Sequence, residues 1–63
     1  MTTDAEIAAF IAQEEAKLIK GGITPYTEEF HEAVRHYVHQ NHGVDHETTR
    51  RVQIERLVTV MGG

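Results

Sequence analysis

Apolar side chains recur at three- and four-residue steps in three stretches of the chain, and residues that start or stop helices bound each stretch. In the first, Ile7, Phe10, Ile11 and Leu18 fall on one face. Thr3 and Glu6 have the T-x-x-E spacing of a capping box, and Asp4 adds negative charge at the positive end of the helix dipole. Lys17 and Lys20 suit the other end, and Gly21-Gly22 stops the run. The pattern predicts a helix over 4–20. Ala5, Ala9, Ala12 and Ala16 form a second row on the opposite side, which reads as plain helix propensity.

The second stretch predicts a helix over 25–42. Thr24 stands as the cap, and Pro25 as a first helical residue that forfeits no useful donor. Tyr26, Phe30, Ala33, Val34 and Tyr37 form its expected buried face, with Val38 at the edge. Gly43 is placed to end it in a left-handed cap, with Val44 folding back onto Val38 or His39. The third helix is expected over 46–61, capped by Asp45. Ile54, Leu57, Val58 and Met61 form its expected core face, and Val52 and Val60 point largely away. Connections this short favour side-by-side neighbours. The expected fold is all-α, a single three-helix domain over 1–63.

Composition sharpens this picture in one respect. Eighteen large apolar residues on 63 positions exceed what one three-helix core hides, and no cysteine is present to staple a small domain. Val52 and Val60, opposite the main stripe of their helix, are the clearest surplus, so the chain is expected to form a homo-oligomer, such as a homodimer. The N-terminus lacks a basic region leading into an apolar run, and no stretch approaches the ~18 apolar residues of a membrane span. A cytoplasmic, membrane-free protein is expected.

The formal net charge of −4 is unevenly spread. Seven acids against two lysines leave −5 on residues 1–34, whereas four arginines against three acids leave +1 on the rest. All five histidines lie between His31 and His46. Overall acidity opposes non-specific nucleic-acid binding. Catalysis and a bound cofactor are not expected. Serine and cysteine are both absent, no glycine-rich phosphate loop exists, and three short helices leave little interior for a substrate.

Three constellations remain. The segment Val38-His39-Gln40-Asn41-His42-Gly43-Val44-Asp45-His46-Glu47-Thr48-Thr49-Arg50-Arg51-Val52, about a quarter of the chain, resembles the turn of a helix-turn-helix DNA-binding motif. The resemblance implies that Gly43 makes the turn, Val44 plugs it and Asp45 caps a recognition helix. His46, Glu47, Thr49, Arg50, Arg51 and Gln53 are then the candidate DNA contacts. Two features oppose it: His39 stands where the motif needs a small residue, and burying Thr49 and Val52 uses the face opposite Ile54, Leu57, Val58 and Met61. The second constellation is a histidine-rich metal site, with His36/His39 and His39/His42 spaced by three and Glu32 as an added carboxylate. At 100° per residue no three of these histidines converge, and no H-E-x-x-H is present.

The third is a protein-binding surface. Glu28, Glu29 and Glu32 at the start of the second helix, with Glu14 and Glu15 on the first, form an acidic patch suited to a basic partner. With the surplus Val52 and Val60, these are the expected interface residues. The chain therefore reads as a small non-enzymatic regulator or inhibitor that binds a macromolecule, protein ahead of DNA. Its size and composition suit an accessory protein of a mobile element.

Overall fold

The computed structural model describes the backbone of residues 2–62 and the side chains of residues 2–59. It has three helices: α1 (Asp4–Lys20), α2 (Glu28–His42) and α3 (His46–Gly62). Each helix packs against the other two, and no strand occurs among the described residues.

The ends of α1 follow directly from its local sequence. Thr3 Oγ1 accepts from the Glu6 backbone N–H (3.2 Å), and Glu6 Oε1 accepts from the Thr3 N–H (3.3 Å), which completes the capping box. At the other end Gly22 has φ 93°. Its N–H donates to Ile19 O, and that of Ile23 donates to Leu18 O. This pair of bonds is a Schellman motif, and a left-handed residue is what it needs. The alanine row Ala5, Ala9, Ala12 and Ala16 faces solvent.

α2 begins three residues later than the sequence pattern predicts, with Thr27 and not Thr24 as its cap. Thr27 Oγ1 accepts from Phe30 N (3.1 Å), and Glu28 and Glu29 occupy the first turn. Tyr26 has φ 64°, which interrupts any helix starting at Pro25. Tyr26 sits just before the cap, with its ring 6.2 Å from that of His31 and 5.7 Å from that of Phe30. The Tyr26–His31 contact has the position of a hydrophobic staple. Tyr26 is nevertheless 69% exposed, and Tyr37 is also exposed, so neither belongs to the core as expected. α2 ends at Gly43 in the left-handed region (φ 71°), as its sequence predicts.

The core joins Ile7, Ile11 and Leu18 of α1 to Phe30, Val34 and Val38 of α2, with Val44 from the turn and Val52 from α3. α3 faces the opposite way from the prediction. Thr49, Val52 and Gln53 are buried, while Ile54, Leu57 and Val58 are exposed. Met61 and Val60 lie outside the described side chains. Polar bonds fix this orientation. Gln53 Oε1 accepts from Arg35 Nη1 (3.0 Å), and Gln53 Nε2 donates to His31 O (3.2 Å). The Thr49 hydroxyl returns its bond to Asp45 O (3.0 Å), so it can be buried without an orphaned donor.

Candidate protein-binding surface

α2 and α3 run antiparallel around Gly43. The His39 and His46 rings are 5.0 Å apart near the turn, Gln53 reaches His31 and Arg35 further along, and Leu57 shares a groove with Tyr26 at the far end. That groove, about 400 Å3, is lined by Glu15, Tyr26, His31, Gln53, Arg56 and Leu57. One wall is the Glu15–Arg56 contact, at 3.4 Å. His31 Nδ1 is buried there without a hydrogen-bond partner among the described residues.

Beside the groove runs an unpartnered apolar stripe. Ile54, Leu57 and Val58 occupy successive helical turns of one face and are all exposed, Val58 to 63%. Arg50, also exposed, continues this row toward the turn. The acidic residues adjoin it. Glu28 and Glu32 form the helical row immediately outside His31 and Arg35, the α2 residues that bond Gln53. The surface thus grades from an acidic, apolar end at Glu28, Tyr26 and Leu57 to an end near the turn that carries Arg50, His39 and His46.

The structure divides the expected interface residues. Glu28, Glu29 and Glu32 are exposed as predicted, Glu15 is half-buried against Arg56, and the Val60 side chain lies outside the described residues. Glu14 and Val52 need correction, because both are interior, at 1% and 3% exposure. Glu14 continues the buried row Ile7, Ile11, Leu18 by helical spacing, and that row itself is the sequence signal that it points inward.

Glu14 anchors a polar cluster that sequence reasoning misses. Its Oε2 accepts from His42 Nε2 (3.0 Å) and Lys17 Nζ (3.5 Å), and its Oε1 accepts from Asn41 Nδ2 (3.4 Å). The His42 ring stacks on Phe10 with centroids 4.1 Å apart. Burial pushes the Glu14 carboxyl up, but the bond from His42, the Lys17 charge and the bonds from Lys17 and Asn41 outweigh it and hold it below the usual range. The cluster clasps the last turn of α2 to α1.

The DNA-contact candidates are also divided. His46, Glu47, Arg50 and Arg51 are exposed, whereas Thr49 and Gln53 are buried among the helices. Arg51 is held by Asp4 (2.9 and 3.0 Å) and Glu55 (3.0 Å). The Arg51 bond holds the Asp4 carboxyl below its ordinary value, and the two carboxylates raise the guanidinium. One objection to the motif is removed, however, since Val38, Val44, Thr49 and Val52 are all buried around Gly43. Among the described residues no group of three histidine, aspartate or glutamate side chains is placed to hold a metal ion. No helix among them is long and apolar enough to cross a membrane.

Comparison of the chain with protein-family models, with curated proteins and with solved structures gives no match. The functional reading therefore rests on these residues and their geometry.

Proposed function

We propose that the chain is a small non-enzymatic regulator or inhibitor that acts in the cytoplasm by binding another protein. The observation that carries this reading is the stripe of Ile54, Leu57 and Val58, exposed beside the Tyr26–Leu57 groove. A contiguous apolar patch rimmed by charge is the ordinary signature of a protein-binding site, and aromatic anchors such as Tyr26 are enriched at such sites. Glu28 and Glu32 supply the polar rim and bias the choice of partner by charge. A photo-crosslinking amino acid at Val58, introduced in the native cell, tests the reading. Discrete protein adducts that vanish in Leu57→Asp are expected. A folded chain that yields no adduct to any protein refutes it.

A second reading has one observation in its favour, the burial of Val38, Val44, Thr49 and Val52 around the left-handed Gly43. This corner meets one packing demand of a helix-turn-helix, while His39 still stands where the motif needs a small residue; His46 and Arg50 would be its remaining forward contacts. Against it stand the bound state of Arg51 and the acids Asp45 and Glu47 on the same end of α3. Binding to duplex DNA that weakens in Arg50→Ala and falls steeply with salt would favour this reading over the first.

A further inference from the structure

We infer that the occupant of the α3 stripe is a second copy of this chain, docked antiparallel so that α3 lies against the α3 of its partner. The inference rests on the protein-binding reading of this face and narrows it to one partner.

The case begins with the order of groups along the surface. At one end stands Glu28, two residues from the Tyr26 that shares the groove with Leu57; at the other stands Arg50, with His39 and His46 near the turn. Arg50 is exposed, and its guanidinium has no hydrogen bond or ion pair to any described residue. Ile54 lies between the two ends. A two-fold axis near Ile54, perpendicular to the helix, brings the Ile54 side chains of both copies together. It sets Arg50 at the level of Val58 on the other copy, the level that Glu28 flanks. A two-fold contact repeats every pair, so the Arg50-to-Glu28 match occurs twice. Parallel docking would set Arg50 on Arg50 and Glu28 on Glu28, and like charges across an interface disfavour it.

Other charged and titratable groups lie near this face. His36 and His46 line one pocket with Glu29 and Glu32 of the same copy, apart from the match between Arg50 and Glu28. Glu47 lies beside Arg50 and weakens it, whereas Arg35, bonded to Gln53, offsets Glu32 near the centre. The apolar centre supplies the affinity, and the charges choose the direction.

Sedimentation equilibrium of the full chain at neutral pH, across a concentration series, tests the inference. The wild type is expected to reach twice the monomer mass. Leu57→Asp, which alters an exposed side chain, should weaken association at least a hundredfold while circular dichroism shows an intact fold. Arg50→Glu and Glu28→Arg should each weaken it roughly tenfold, since each spoils two symmetry-related contacts. An equimolar mixture of those two variants re-forms the opposite-charge match at both contacts, and it should recover the wild-type affinity. A mixture no tighter than either variant alone overturns the antiparallel docking. A wild type that stays monomeric throughout overturns the second copy as occupant. In that event crosslinks from Val58 to a different protein leave the protein-binding reading standing, and their absence removes it too.

Discussion

α2 and α3 lie side by side and are close in length, at 15 and 17 residues, yet they choose their buried faces in different ways. α2 has one apolar row, Phe30, Val34 and Val38, and all three are fully buried. α3 has apolar residues on both sides, with Val52 on one and Ile54, Leu57 and Val58 on the other. It buries the side with fewer of them. The difference shows what orients a helix whose apolar residues do not choose a face. Gln53 reaches two sites on α2, the Thr49 hydroxyl returns to its own backbone, and Val52 then closes the core. The larger apolar side stays exposed.

The comparison breaks most visibly in α2. Phe30→Ala removes the largest fully buried side chain and is expected to cost about 3–5 kcal/mol. A domain of this size rarely holds more than roughly 3–5 kcal/mol in its core, so the variant should lose its cooperative unfolding transition. Thermal melts by circular dichroism check this. A sharp, near-native melt would mean that α2 is held by something other than its apolar row.

The next effect concerns the clasp between α1 and α2. Glu14→Ala strands His42 and Asn41, and a cost of about 1–3 kcal/mol at neutral pH is expected. The same carboxylate gives a pH signature. Its folded value lies below the ordinary glutamate value of about 4.3, so its contribution is fully present above that pH. That contribution is lost as pH falls through the lowered value. Asp4, lowered chiefly by Arg51, and Asp45, lowered chiefly by the bond from Thr48, add to the same acid limb. Denaturant midpoints measured from pH 7 to 3 should fall less in Glu14→Gln than in the wild type. Parallel curves would remove Glu14 from the account.

Much of this was legible in the residues, and the exceptions have physical causes. Capping pairs and glycines mark the ends of α1 and the α2–α3 turn because they act locally. Tyr26 misleads because a proline after a threonine reads as a helix start, whereas its left-handed backbone moves the start to Thr27. Glu14 misleads because charge suggests surface, although its position in the Ile7–Ile11–Leu18 row puts it inside. α3 misleads most. Counting apolar residues favours the Ile54 side, but partners for Gln53 exist only on α2, eighteen and twenty-two positions away in sequence. The candidate surface is therefore made of residues the pattern assigned to the core, joined by the acids Glu28 and Glu32 that it assigned correctly to the outside.

If polar anchors orient α3, Gln53→Ala should cost about 1–2 kcal/mol through the stranded Arg35 guanidinium and His31 carbonyl. The effect should be smaller than that of Glu14→Ala, because these partners are neutral or partly solvated. A loss of amide protection confined to α3 in hydrogen exchange would place the damage there. Equal loss along α1 and α2 would contradict an anchoring role.

The smallest effect sharpens the comparison within α3 itself. Val52→Ala and Val58→Ala make the same chemical change six residues apart on one helix. At 3% exposure Val52 loses buried methyl groups, and roughly 1.5 kcal/mol of transfer energy goes with them before any cavity cost. At 63% exposure Val58 has little burial to lose. Alanine is the better helix former by up to ~0.7 kcal/mol, so Val58→Ala should leave the monomer unchanged or stabilise it by a few tenths. The measurement belongs at concentrations dilute enough to keep the chain monomeric, since a partner copy on the stripe would bury Val58 and reverse the sign. Denaturant unfolding of both variants at low and high concentration then separates the two sides of the helix. Val52→Ala should be destabilised throughout. Val58→Ala should be neutral when dilute and destabilised when concentrated, and equal costs in dilute solution would show that α3 is turned the other way.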